Sequence, residues 1–280
     1  MKPNRKKIRK KSILKSSGNT EYFSPKKLQS SIERTGLPTK ECKEITKEIE
    51  KTIVPGISTK EIYKNAIKLV KKKSNTAAVH YSLKKALTAL GPTGYEFENF
   101  VAKYFEELGF TTYVGITLQG EFVRHEVDIV ASKANYNIYV ECKFHNSTQK
   151  NDIKTVLYIK ARWDDLKNGP DGKYLREYYI ISNTAFTTDA IEYAQGTGLK
   201  LLGINAPEEH SFLDEIRKYK LFPITSLRRL KKNILQQLLA KKIFLCRDLL
   251  KERRLLLKLE MAPLEIDIIF NDIKNIIGDN

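Results

Sequence analysis

Asp128, Glu141 and Lys143 are the residues of this 280-residue chain whose types and spacing point most directly to chemistry. They stand in two apolar runs, HEVDIVA from His125 and IYVECKF from Ile138, separated by the polar cluster SKANYN. Apolar runs around a turn-forming cluster read as two strands of a hairpin. Because side chains alternate along a strand, Glu141 and Lys143 share one face, Cys142 takes the other, and Asp128 can sit opposite them on the neighbouring strand. Two carboxylates and an ammonium then converge. Carboxylate oxygens are the hard ligands that Mg²⁺ takes, with water and phosphate completing its shell. A cation held in this way neutralises charge building on a phosphodiester, while a lysine beside it orients or deprotonates the attacking water. The ECK triplet alone is equally at home in a surface hairpin with a salt bridge.

The flanking segments supply the elements that would position these groups. Gly91, Pro92 and Gly94 break the preceding pattern and mark a boundary. YEFENFVAKYFEELGF follows, with Phe97, Val101, Tyr104, Phe105 and Leu108 at helical spacing and Gly109 as the stop. Glu98 lies beside that apolar face, where it either reaches the sheet or serves as a first-turn acid favourable to the helix dipole. TTYVGITLQGEF reads as the first strand. Beyond the central hairpin come the polar HNSTQKND and a helix, IKTVLYIKARWDDLK. Alternation carries His145 onto the Glu141 and Lys143 face, so it is a candidate for the centre or a structural histidine, as are Gln149 and Lys160. The strand YYIIS, the helix TTDAIEYAQGTG and the strand LKLLGIN complete an α/β unit whose apolar runs suit central strands.

At Asp128, Glu141 and Lys143 the sequence resembles the PD-(D/E)xK nuclease superfamily, most closely its type IV restriction, Mrr-like branch. Asp128 matches the first metal-binding acid and Glu141 with Lys143 the (D/E)xK pair, while Val127 stands where the motif's name has proline. The GxxFE opening before the helix resembles the first helix of Mrr-like nucleases, which implies that Glu98 assists metal or water. FTTDAIEYA before LKLLG resembles the same family, where it packs the sheet. The resemblance implies Mg²⁺, or Mn²⁺, held by Asp128 and Glu141, and phosphodiester cleavage in DNA, double-stranded in the first instance.

The N-terminal third reads differently. ILKSSGNTEYF is a short hairpin with Gly18-Asn19 at its turn. Ser24-Pro25 caps and opens the helix PKKLQSSIERTG, a second helix runs from about Thr39 to Ile53, Ser58 caps TKEIYKNAIKLVKKK, and Asn75 or Thr76 caps a fourth helix, AAVHYSLKKALTALG. A hairpin lid over four short helices, with FSPKKL, GISTKEIY and YSLKKAL in this order, resembles the ATP-cone domain over residues 13 to about 90. Carried over by position, that resemblance implies a site for ATP or dATP lined by Ile13, Lys15, Glu21, Lys27, Leu28, Thr59, Tyr63, Tyr81 and Lys85. The usual Lys-Arg-Asp-Gly lid is here Lys15-Ser16-Ser17-Gly18. No Gly-rich phosphate loop of the P-loop kind occurs, so this segment is expected to sense nucleotide rather than hydrolyse it.

Charge follows the same partition. Residues 1–90 hold 23 Lys/Arg against 7 Asp/Glu, residues 91–210 hold 12 against 17, and residues 211–280 hold 15 against 9. The acidic middle segment would therefore carry the metal site, and the basic flanks could hold polyanionic backbone or simply be solvated lysine-rich faces. Residues 1–12 are basic and nearly free of apolar side chains, as in a disordered arm. In the last segment Leu227, Leu230, Ile234-Leu235 and Leu238-Leu239 fall on one helix, with Leu245 and Leu249-Leu250 on another. This vaguely resembles a helix-hairpin-helix, with Lys241-Lys242-Ile243 in place of Gly-Ile; packing or dimerisation is the alternative. The last helix, APLEIDIIFNDIKNII, must bury Ile266, Ile269, Phe270 and Ile273. Cys42, Cys142 and Cys246 give neither a disulfide framework nor a zinc spacing. With no 18-residue apolar run and no signal-peptide segment, a cytoplasmic location is expected.

These readings predict a mixed α+β and α/β multidomain chain. Its parts are an arm (1–12), a helical ATP-cone domain with a hairpin lid (13–90), a restriction-endonuclease-like mixed sheet flanked by helices (91–210) and a basic helical C-terminal region (211–280). The function expected is Mg²⁺-dependent DNA cleavage, regulated by adenine nucleotide and accompanied by a homo-oligomer that nucleotide switches. A nucleotide-sensing DNA-binding regulator with an inert nuclease fold and an RNA-directed nuclease are the alternatives.

Overall fold

The structure, a computed structural model, describes residues 11–15, 18–91, 93–208 and 210–278. Most of the basic N-terminal arm and the lid residues Ser16 and Ser17 lie outside them. The chain forms two compact units, 1–82 and 83–280. No helix among the described residues is long and apolar enough to cross a membrane.

In the first unit, β1 (Ser12–Leu14) pairs antiparallel with β2 (Thr20–Tyr22). The turn between them is closed by the Lys15 N–H on the Asn19 carbonyl, with Gly18 at φ +82°, a conformation in which a Cβ would be strained. A third strand, β3 (Ile57–Ser58), adds in parallel to the other side of β1. It goes beyond the hairpin expected from sequence because two residues are too few to show alternation. Four helices build the remainder: α1 (Pro25–Glu33), α2 (Thr39–Thr52), α3 (Thr59–Lys73) and α4 (Asn75–Tyr81). Ser24 accepts the Lys27 N–H ahead of Pro25, and Ser58 and Glu61 form a reciprocal capping box on α3. Ile13, Leu28, Ile32, Ile45, Ile49, Ala66 and Val70 share one core. The single fourth helix read from AAVHYSLKKALTALG is broken: α4 ends at Tyr81, Ser82 takes a non-helical conformation, and α5 (Leu83–Thr88) begins in the second unit.

The second unit is built on a five-stranded sheet in the order β4-β5-β6-β7-β8: β4 (Thr111–Gln119), β5 (Arg124–Lys133), β6 (Tyr136–Lys143), β7 (Leu175–Ser182) and β8 (Lys200–Leu202). The first three strands are antiparallel neighbours and the last two join in parallel. The polar cluster between β5 and β6 is mostly ladder, since Ser132 pairs with Asn137 and Lys133 with Tyr136. Only Ala134 and Asn135 make the turn, Ala134 at φ +52°, as tight hairpins require. Parallel β6 and β7 are joined by α7 (Ile153–Asn168), and β7 and β8 by α8 (Thr188–Thr197). Val127, Tyr139, Val156, Ile159, Tyr178, Ile180, Phe186 and Ala190 form the core between sheet and helices. Ahead of the sheet runs α6 (Tyr95–Glu107), whose Phe97, Phe100 and Tyr104 meet Phe212 edge-on.

Phe212 opens α9 (Phe212–Lys218), and α10 (Lys232–Ala240), α11 (Cys246–Leu249), α12 (Arg253–Lys258) and α13 (Pro263–Ile277) follow. Leu227 and Leu230 are buried as expected but precede α10, in the turn after a 3-10 segment at Ile224–Ser226. Leu227 and Leu230 are buried from a turn yet happen to continue the apolar spacing of α10, so periodicity alone overextended that helix. Lys242, between α10 and α11, sits in the left-handed region at φ +61°, the conformation that a glycine would hold more cheaply. On α13, Ile266, Ile269, Ile273 and Ile276 are buried.

Candidate active site

The β5–β6 ladder brings the acidic residues together. Ile129 pairs with Val140, so continuing the antiparallel register by one residue puts Asp128 opposite Glu141 on the same face. Asp128 Oδ2 accepts the Cys142 backbone N–H at 2.6 Å. Glu141 is only 4% exposed, and both its oxygens are engaged: Lys143 Nζ meets Oε1 at 2.7 Å and Arg162 Nη1 meets Oε2 at 2.8 Å. The other guanidinium nitrogen of Arg162 donates to the Glu126 carbonyl. Sequence reading missed Arg162, although a signal exists. Three residues after the buried Ile159 and four before the buried Leu166, it places a charge on the core-facing side of α7.

The electrostatics follow from this crowding. Burial, and next the charge of Glu141, push the Asp128 carboxyl up to about 7; Glu98 adds to the shift, and the Cys142 N–H and Lys143 oppose it. Glu98 at the start of α6 is raised as well, by burial and then by Glu126 and Glu141. Glu98, Asp128 and Glu141 thus share one field, and the two cations nearest it are both spent on Glu141. Among the described residues no ion pair reaches Asp128. A small divalent cation fits this donor set, because it would relieve a repulsion that Lys143 and Arg162 leave standing at Asp128. Among the described residues no group of three or more His, Cys, Asp or Glu is arranged to hold a metal ion. A pair of carboxylates, with water and phosphate supplying the other positions, is how Mg²⁺ is usually held.

Behind the centre lies a buried polar network that fixes the ends of β6 and β7. Ser182 Oγ donates to the Lys143 carbonyl at 2.7 Å and accepts from Asn151 Nδ2 at 2.8 Å. Asn183 exchanges hydrogen bonds with the His145 backbone, and the His145 ring meets Asn151 Oδ1 at 2.8 Å. His145 therefore belongs to this network, because the chain leaves the ladder after Lys143 and alternation no longer governs it. Lys160 is engaged by Asp164 and lies over the Trp163 ring, and the Gln149 backbone N–H closes a local turn on Ser147. Cys142, on the opposite strand face, is buried, and its thiol is held well above its usual range by that burial.

In the first unit Lys15 and Lys27 both pair with Glu21, at 2.5 and 3.6 Å, tying the hairpin to α1. Ile13 and Leu28 are core residues, Thr59 is the first residue of α3, and Tyr63 stacks on Tyr81 with ring centroids 5.3 Å apart. Lys85 is exposed on α5, in the second unit.

A mixed sheet whose central hairpin carries paired carboxylates and a lysine defines the restriction-endonuclease class of α/β fold. Family models agree with that class in the middle of the chain: residues 91–206 match a restriction endonuclease (Mrr-type catalytic) family, residues 11–87 the ATP cone domain and residues 222–277 the AF1548-like C-terminal family. An uncharacterized protein from Archaeoglobus fulgidus is 34% identical over 149 residues, 53% of this chain and 82% of its own length. The crystal structure of a protein of unknown function, AF1548, superposes at a TM-score of 0.55 with 30% identity, over 67% of this chain and all of its own. Protein VC1899 from Vibrio cholerae shares 21% identity over 48% of this chain and 34% of its own, at a TM-score of 0.32, a likeness too slight to carry an inference. The chain belongs to one family with the uncharacterized Archaeoglobus fulgidus protein, and carries an ATP cone domain, then a restriction-endonuclease-like domain, then an AF1548-like C-terminal domain.

Proposed function

We propose that the protein is a Mg²⁺-dependent DNA endonuclease regulated by ATP or dATP bound to its N-terminal domain. The observation that carries this reading is the placement of Asp128 opposite Glu141 with Lys143 on the same face and Glu98 in the same field. Asp128 and Glu141 would hold the cation. A divalent cation bound there supplies charge neutralisation at the scissile phosphate and makes a water molecule more acidic. Lys143, 30% exposed at its side chain, orients that water and takes its proton once its ammonium has given one up to solvent. Glu98 receives a proton or orients the same water from the α6 side. The Cys142 N–H holds Asp128 in place throughout.

The working division is residues 13–90 for nucleotide sensing, 91–210 for cleavage and 211–280 for a basic region that helps hold DNA or a second copy of the chain. Lys15 and Lys27 are assigned to nucleotide phosphates, Glu21 to positioning these two lysines, and Ile13, Leu28, Thr59, Tyr63 and Tyr81 to the base and sugar.

Nicking of supercoiled plasmid with Mg²⁺ or Mn²⁺, with and without ATP and dATP, tests both halves. Asp128→Ala and Lys143→Ala are expected to lower the rate by roughly a hundredfold or more, and EDTA to abolish it. Plasmid that is bound but left intact by wild type in all metals would sink the DNA endonuclease reading in favour of a nucleotide-sensing regulator.

A further inference from the structure

The two cations on Glu141 are anchored very unequally. Arg162 reaches the carboxylate from α7 with a side chain only 13% exposed, its second nitrogen is tied to the Glu126 carbonyl on β5, and its guanidinium lies 5.8 Å from the Tyr158 ring centre. The planar fork thus bridges a side chain and a backbone carbonyl, which one ammonium could not do. Lys143 is 30% exposed, and its ammonium rests on Glu141 Oε1 at 2.7 Å. In this arrangement the lysine assigned to the water is occupied by the carboxylate assigned to the metal.

We propose that Arg162 is a positioning residue that holds Glu141 by Oε2 and so makes Oε1 the oxygen that Lys143 surrenders when a divalent cation arrives. The inference rests on the metal-centre reading above and adds a coupling to it. Lys143 is stored on Glu141 while the centre lacks a cation, and cation binding releases it toward the substrate side. Arg162 makes that exchange possible by staying behind. Glu141 keeps a cationic partner after the lysine departs, and its carboxylate plane does not turn. Without the fork, nothing would hold Oε2 in place, so the carboxylate could turn and keep Lys143 on one oxygen while the cation takes the other.

The test labels Lys143 in the full-length protein with a small amine-directed reagent, quantified by mass spectrometry with and without Mn²⁺, alongside calorimetric Mn²⁺ titration. In wild type, Mn²⁺ is expected to raise Lys143 labelling several-fold while exposed lysines such as Lys133 stay unchanged. In Arg162→Met, Mn²⁺ still binds, the rise in labelling is lost, and nicking at saturating metal falls by about a hundredfold through kcat rather than KM. Arg162→Lys keeps the charge but not the fork, so it should bind Mn²⁺ like wild type and leave kcat low. Wild type that binds Mn²⁺ with no change at Lys143 overturns the coupling alone, as does Arg162→Met with wild-type labelling. Wild type that binds no Mn²⁺ overturns the metal-centre reading and this inference together.

Discussion

At the scale of single residues, the centre holds more negative charge than its own cations balance, and that imbalance has a cost that depends on pH. The Asp128 carboxyl, pushed up to about 7 by burial and by Glu141, has a folded pKa above that of an unfolded aspartate near 4. Between those two values the folded state binds more protons than the unfolded state, so in the absence of metal stability falls as pH rises from about 4 toward 7. Asp128→Asn removes the penalty and keeps an acceptor for the Cys142 N–H. Thermal unfolding in EDTA should therefore show the variant more stable than wild type at pH 8, by a few kcal/mol in order of magnitude, and nearly equal to it at pH 4. Saturating Mg²⁺ should reverse the ranking at pH 8, because a bound cation stabilises the wild-type carboxylate alone. A variant no more stable at pH 8 in EDTA would mean that Asp128 is not under strain from its neighbours. The identities of Asp128, Glu141 and Lys143 were legible from alternation within two short runs. Arg162 was not singled out, because its partner lies 21 positions away in sequence.

At the scale of elements, what makes the centre precise is the joint between the ends of β6 and β7. Asn151 sits 2% exposed and spends its amide on Ser182, Thr184 and the His145 ring, while Ser182 holds the Lys143 carbonyl. Asn151→Ala is expected to cost about 2–4 kcal/mol in urea unfolding, because it strands several buried polar groups at once. It should also lower cleavage more than a loop substitution such as Gln149→Ala does. An unfolding midpoint equal to wild type would show that water replaces the amide and that the joint is soft. Strands β5 and β6 were readable because each carries enough alternating residues to reveal its period, and the helices because Ser24, Ser58 and Gly109 mark their ends. The parallel joint was unreadable. Its polar residues, HNSTQKND and SNTA, look like ordinary loops until β6 and β7 are set side by side.

At the scale of the whole molecule, nucleotide sensing and cleavage are assigned to different units, and coupling between them requires that nucleotide bind two states of the chain unequally. Lys15 and Lys27 are both held on Glu21 in the structure, a partly exposed cluster from which phosphate could draw them. Calorimetry on the full-length chain should show ATP or dATP binding that Lys15→Ala and Lys27→Ala each weaken by about tenfold, about 1.4 kcal/mol. Light scattering in the same samples should show a change of oligomer on adding nucleotide. Binding with no dependence on either lysine would move the site elsewhere, and no binding at all would leave the N-terminal domain without the assigned role. The sequence by itself determined the kinds of elements, the hairpin that carries the acids and the alternation that turns them to one face, because these depend on neighbours within a few residues. Only the tertiary structure decided which cations reach those acids, how deeply the acids are buried and which loops close behind them. Those properties arise from groups tens of residues apart whose meeting is set by the packing of α6, α7 and β7 on the sheet, and no local pattern encodes that distance.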